Sequence, residues 1–215
     1  MYKNYKAIIF DMDGTLIDSM WVWPKLDEDF FKNEQLPMPE TLQKDIEGYS
    51  MKETAEYFIK NFSLSYTVSE LMDLWNDMAS YQYANEVPYK KGAFEFLKKV
   101  KDLGIKTGIA TSNSRELVEL VDQNLHFSSY IDTIVTAKEV PCGKPAPDIY
   151  LTVANHLNVD PKDCLVFEDI PNGLLAAIRA GMDTCAVSDE FSRDMDFEKR
   201  QMATHFIDSY EELLA

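Results

Sequence analysis

The chain reads as an α/β protein: a parallel sheet with helices on both faces, interrupted near its start by an inserted all-helical segment. Three observations predict this. From Lys90 onward, short apolar runs alternate with amphipathic helical stretches, the texture of strand-helix-strand crossovers. An apolar run at residues 7–10 stands alone far upstream, and a lone strand needs neighbours to satisfy its backbone. Between the two, helical periodicity dominates and no strand pattern occurs.

In chain order, Ala7-Ile8-Ile9-Phe10 runs into Asp11-Met12-Asp13-Gly14-Thr15, a buried strand ending in a tight loop. Helical spacing follows over 19–31, 41–48, 51–62 and 69–84, broken by Pro37, Pro39 and the polar stretch 63–69. Glu86-Val87-Pro88 is a short stiffened linker. Then come a helix over 93–103, a strand over 106–110, a helix over 115–125, a strand over 133–136 and a helix over 148–157. A strand over 164–168, a helix over 172–180, a strand over 184–187 and a short strand and helix within 205–214 complete the pattern. The expected division is a core of residues 1–17 and 87–215 and a helical domain of residues 18–86. Its two connections, near 16–18 and 85–89, lie side by side and can hinge that domain as a lid over the strand ends.

Composition narrows the function. With 215 residues and 46% hydrophobic content the chain can bury a substantial core. Its 21 Lys and Arg against 37 Asp and Glu give a net charge of -16, which repels nucleic acid and anionic membranes. An anionic substrate therefore requires local positive charge, from a metal cation and a few lysines. Cys142, Cys164 and Cys185 are odd in number and lack Cys-x-x-Cys spacing, arguing against a disulfide framework or zinc site and for a reducing cytoplasm. No apolar run approaches the roughly 20 residues of a membrane span. The acidic surface suggests a monomer.

Four polar stations follow strands or precede a helix: Asp11 with Asp13; Thr111, Ser112 and Asn113; Lys144 in Gly143-Lys144-Pro145; and Glu168-Asp169. In an open α/β sheet such positions converge on the carboxyl edge. A calcium loop is excluded, because Leu16 and Ile17 interrupt the acids and Val22 stands at the twelfth position. Acids gathered together repel one another, so the cluster predicts a hard cation, Mg2+. With a phosphate ester present, Asp11 is placed as nucleophile, Asp13 as acid and base, and Thr111 and Lys144 as holders of the phosphoryl oxygens. Plainer readings stay open: residues 111–114 as a helix N-cap, Lys144 as a solvated loop lysine, and Glu168-Asp169 as a favourable helix start. Gly143-Lys144 is not a nucleotide-binding loop, since Lys138 occupies the required first glycine.

Taken in order, Asp11-Met12-Asp13-Gly14-Thr15, Thr111, Lys144-Pro145 and Phe167-Glu168-Asp169 resemble the four motifs of the haloacid dehalogenase superfamily. Gly143-Lys144-Pro145-Ala146-Pro147-Asp148 and Glu168-Asp169-Ile170-Pro171-Asn172-Gly173 look like its branch containing β-phosphoglucomutase and small sugar-phosphate phosphatases. The resemblance implies a Rossmann-like core with a helical cap, and Mg2+ held by the Asp11 carboxylate, the Asp13 carbonyl and Asp169, with Glu168 touching it directly or through water. The second acid, Asp13, disfavours halide chemistry. In the mutase relatives an Arg follows a Gly-x-Ser segment of the cap and a His lies in the first cap helix; here Met51 follows Gly48-Tyr49-Ser50 and Trp23 replaces the His. The expectation is a cytoplasmic Mg2+-dependent phosphatase of a small phosphorylated sugar or polyol working through an aspartyl phosphate. A hexose-phosphate mutase is the alternative, and a noncatalytic phosphometabolite-binding module a third. Trp23, Tyr49, Ser50 and Lys52 are the candidate cap contacts to substrate.

Overall fold

The computed structural model describes residues 1–46 and 49–214. Strand β1 (Ala7–Phe10) leads into four helices, α1 (Val22–Asn33), α2 (Leu42–Asp45), α3 (Met51–Phe62) and α4 (Val68–Asn85). The alternating part follows as α5 (Ala93–Asp102), β2 (Lys106–Thr111), α6 (Arg115–Leu125), β3 (Thr133–Thr136), α7 (Asp148–Leu157), β4 (Cys164–Glu168), α8 (Pro171–Arg179), β5 (Asp183–Val187), α9 (Asp196–Met202) and β6 (His205–Ile207).

The six strands among the described residues form one parallel sheet in the order β3-β2-β1-β4-β5-β6. The chain winds outward through β2 and β3, returns to the far side of β1 as β4, and winds out the other way. That reversal of direction opens a crevice at the carboxyl ends of the central strands. The four residues of β1 are fully buried, yet they serve two cores. Ile8 and Phe10 pack with Phe96, Phe167 and Tyr210 on one face, and Ala7 and Ile9 pack with Tyr150, Val153 and Ala177 on the other. Period-two alternation with both faces covered explains the continuous apolar runs of the parallel strands.

The inserted helices have their own aromatic centre, in which Phe31 and Phe62 lie 4.8 Å apart and Phe58 and Trp75 5.0 Å apart. This centre is continuous with the Phe10 face of the sheet. Reciprocal capping boxes start α3 and α4, Ser50 with Glu53 and Thr67 with Glu70, so α4 begins at Val68, ahead of the expected residue 69. The helix expected over 19–31 starts at Val22, because Ser19 is engaged elsewhere. The one expected over 41–48 contracts to α2, and Gly48 lies outside the described residues. The two connections pair with each other, Asp18 N–H donating to the Pro88 carbonyl at 2.9 Å and Lys90 N–H to that of Leu16 at 3.0 Å. No helix among the described residues is long and apolar enough to cross a membrane.

Candidate active site

The crevice gathers the four polar stations. Asp11 follows β1, Thr111 ends β2, Glu168 ends β4 with Asp169 after it, and Lys144 stands in the loop before α7. Lys144 is not the solvated loop lysine of the plainer reading. Its side chain is 6% exposed, and its ammonium donates to Asp11 Oδ1 at 2.5 Å, Glu168 Oε1 at 2.6 Å and the Ala110 carbonyl at 3.0 Å, using all three protons. Burial alone would push this ammonium toward neutrality, but the charges of Asp11 and Glu168 outweigh it and hold Lys144 above the ordinary lysine range.

Glu168 is the fixed point of this arrangement. Its Oε1 also accepts the Tyr150 hydroxyl at 2.6 Å, and its Oε2 accepts the Asp169 N–H at 3.1 Å. It does not begin a helix, as the plainer reading had it, since α8 starts at Pro171. Gly173 of α8 lies so close that a Cβ there would collide with the Glu168 carboxylate.

Asp169 is held more loosely. Thr15 Oγ1 donates to its Oδ1 at 3.0 Å, and no hydrogen bond among the described residues reaches its Oδ2. Gly14, at a φ of +77°, keeps the first loop tight against this carboxylate, where a side chain would collide with it. Carboxylate oxygens of Asp11, Glu168 and Asp169 lie within 4.8 Å of one another. Burial pushes Asp11 up to about 7 against the pull of Lys144, with Glu168 adding to the rise. Burial also raises Asp169 well above its ordinary value, and the charges of Glu168 and Asp11 reinforce this. Three buried carboxylates against one ammonium, with only oxygen donors, fit a hard divalent cation such as Mg2+.

Asp13 faces a separate set of donors. Ser19 Oγ donates to its Oδ1 at 2.7 Å, the Tyr83 hydroxyl donates to the same oxygen, and Asn113 Nδ2 donates to Oδ2 at 3.1 Å. Burial raises Asp13, and the bonds from Tyr83, Ser19 and Asn113 work against that rise. In the 111–114 segment the capping function belongs to Ser114, whose Oγ accepts the Leu117 N–H at 3.3 Å. Thr111 is buried with its Oγ1 accepting the Asn113 N–H at 3.0 Å, while Ser112 is exposed.

Of the candidates in the inserted helices, Trp23 packs 6.2 Å from the Tyr83 ring and so adjoins a partner of Asp13. Ser50 caps α3, Lys52 is exposed with its ammonium 3.8 Å from Glu56, and exposed Tyr49 packs on Tyr57. Sequence reasoning missed Tyr83, Ser19, Tyr150 and Thr15. A tyrosine at helical spacing reads as core, and both Tyr83 and Tyr150 are fully buried; only their hydroxyls betray them.

A family model described as haloacid dehalogenase-like hydrolase matches residues 8–187. The chain is similar to a validoxylamine A 7'-phosphate phosphatase of Streptomyces hygroscopicus subsp. limoneus, 32% identical with 83% of each chain covered. It is also similar to a phosphorylated carbohydrates phosphatase of Thermotoga maritima, 30% identical over 83% of this chain and 82% of that one. Among solved structures, CbbY from Rhodobacter sphaeroides shares the fold with a TM-score of 0.86 at 24% identity, covering 97% of this chain and 96% of that one.

Proposed function

The chain belongs to the haloacid dehalogenase-like hydrolases, in the branch shared with β-phosphoglucomutase-like proteins and phosphatases of small metabolites, and from this premise we propose a Mg2+-dependent phosphatase acting on a small phosphorylated sugar or polyol. The observation that carries the reading is Lys144 bridging Asp11 and Glu168 beside Asp169, with Thr111 at the end of β2, the strand paired with β1. The two carbohydrate-related phosphatases among the relatives support the substrate class.

In this reading the carboxylates of Asp11 and Asp169 and the Asp13 carbonyl would hold the ion, with Glu168 touching it directly or through water. When bound, Mg2+ supplies the positive charge that keeps Asp11 ionised and offsets the phosphoryl oxygens. An oxygen of Asp11 attacks phosphorus, the ester P–O bond breaks, and Asp13 gives its proton to the departing oxygen. Water then loses a proton to Asp13 and attacks the phosphoryl group on Asp11; the bond to Asp11 breaks and inorganic phosphate leaves. Lys144 fixes the Asp11 carboxylate through Oδ1 and meets the phosphoryl charge, while Thr111 and Ser112 offer hydroxyl and amide donors to the same oxygens and Asn113, its own donors spent on Thr111, Asp13 and Tyr83, holds that loop in place.

Residues 18–86 act as a cap. Its paired connections bound it, and Ser19 and Tyr83 carry it directly to Asp13. A mutase needs a second grip on phosphate, and the cap lysine nearest the expected place, Lys52, is exposed beside Glu56. A phosphate-release screen over phosphorylated sugars and polyols tests the proposal. Turnover that is lost in Asp11→Asn and on chelation is expected. Isomerised product without net phosphate release would transfer the case to the mutase, and ligand binding without turnover to a noncatalytic module.

A further inference from the structure

A carboxylate offers about four lone-pair sites, two on each oxygen. In Asp13 they are filled unequally. Ser19 and Tyr83 both donate to Oδ1, whereas among the described residues Oδ2 receives only Asn113 Nδ2, at 3.1 Å. Asn113 belongs to the loop after β2 that carries Thr111, so Oδ2 is the oxygen on the side of that loop, with one lone pair to spare. Tyr83 is tied into the same set, because Asn113 Nδ2 also donates to its hydroxyl at 3.0 Å. The phenol therefore spends its only proton on Asp13. Its ring is fully buried in α4 and packs against Trp23, so the hydroxyl cannot swing away without moving the helix.

We infer that Tyr83 is a positioning residue for proton transfer: it anchors Oδ1 of Asp13, so that Oδ2 is the atom exchanging a proton with the leaving oxygen. The inference rests on the phosphatase reading, in which Asp13 serves as general acid, and adds to it the residue that aims the acid. The chemistry is unchanged, since the proton passes from Asp13 Oδ2 to the ester oxygen as its bond to phosphorus breaks. Tyr83 keeps its own proton throughout. Without that anchor Oδ1 keeps only the Ser19 hydroxyl and the carboxylate is held less firmly about its terminal torsion, and a misaimed acid loses much of the advantage of positioned proton transfer.

The test uses the full-length protein with Mg2+ and two probes, phenyl phosphate and p-nitrophenyl phosphate. Phenolate needs a proton as it leaves, and p-nitrophenolate does so far less. General acid catalysis contributes on the order of 100-fold to 10,000-fold, so Tyr83→Phe is expected to lower kcat/KM for phenyl phosphate by roughly 10-fold to 100-fold. For p-nitrophenyl phosphate the loss should stay within about twofold. Asp13→Asn should show the same discrimination more strongly, and Tyr83→Phe added to Asp13→Asn should bring no further discrimination, because both act through one group. Equal losses on both probes, whether from misfolding or from a general packing role, overturn the inference, as does no loss on either. Either result leaves the phosphatase reading standing so long as Asp11→Asn abolishes wild-type turnover. A wild-type protein inactive on both probes and on every sugar and polyol phosphate of the screen would sink that reading and the inference together.

Discussion

Replacing Lys144 by methionine, which keeps the aliphatic stem and removes the charge, probes the centre of the site. The ammonium touches Asp11 at 2.5 Å and Glu168 at 2.6 Å, and its side chain is 6% exposed. Removing one partner from a buried charge pair costs about 3–5 kcal/mol, because the charge left behind has neither partner nor water. Glu168 would retain the Tyr150 hydroxyl and the Asp169 N–H, whereas Asp11 would lose the only cation that reaches it among the described residues. The expected loss in chelator at pH 8 is therefore about 3–5 kcal/mol, read from urea unfolding. Protonating the acids relieves the penalty, so the gap to wild type should narrow toward pH 5. A divalent cation should narrow it too, because acids without their ammonium bind the ion more tightly than those of wild type and so gain more stability from it. Activity follows separately: losing an electrostatic stabiliser of this kind costs about 100-fold to 1,000-fold in kcat. A Lys144→Met protein within about 1 kcal/mol of wild type in chelator at pH 8 would refute the claim that this lysine holds the acids together.

Three further outcomes are expected. Asp169→Asn removes one buried like charge, so the metal-free protein should melt at higher temperature than wild type, while the rise in melting temperature on adding Mg2+ disappears; an unchanged Mg2+ response would remove Asp169 from the ion site. Gly173→Ala forces the Glu168 carboxylate to move and Lys144 with it, so stability should fall by about 1–3 kcal/mol with a loss of turnover, and a variant normal in both would contradict the close approach. Asp27, on α1, is pushed up to about 6 by burial despite its bond from Gln43. Its folded value lies above its unfolded one, so its contribution is present at low pH and is lost as pH rises from about 4 to about 6, by about 3 kcal/mol. Asp27→Asn should thus gain on wild type across that window, and parallel urea midpoints for the two proteins would show that this group does not titrate as stated.

The sequence displays the strand-borne half of the site because each group there is announced locally. Asp11 and Asp13 end an apolar run, Glu168 and Asp169 end another, and Lys144 sits in a proline-bounded loop. The sheet order then brings them together, as parallel crossovers oblige it to. The groups that came from the helical segment were hidden. Tyr83 lies 70 residues from Asp13 in a helix whose aromatic spacing looks like packing, and its link to Asp13 is a single hydroxyl. Ser19 looked like the start of α1 and instead turns its hydroxyl to Asp13. Ser50 carries two local signals at once, its place in the Gly-x-Ser segment and the glutamate three residues on, and the second shows in the structure as a capping box at the start of α3.

Asp11 is expected to become phosphorylated during turnover. Acid quenching of the working protein, followed by digestion and mass spectrometry, reads this directly. The expected result is a phosphoryl group on the peptide carrying Asp11 and located on that residue, absent from Asp11→Asn. Steady turnover with no phosphorylated peptide, together with inversion of configuration at phosphorus, would mean that water attacks the substrate itself and would contradict the account.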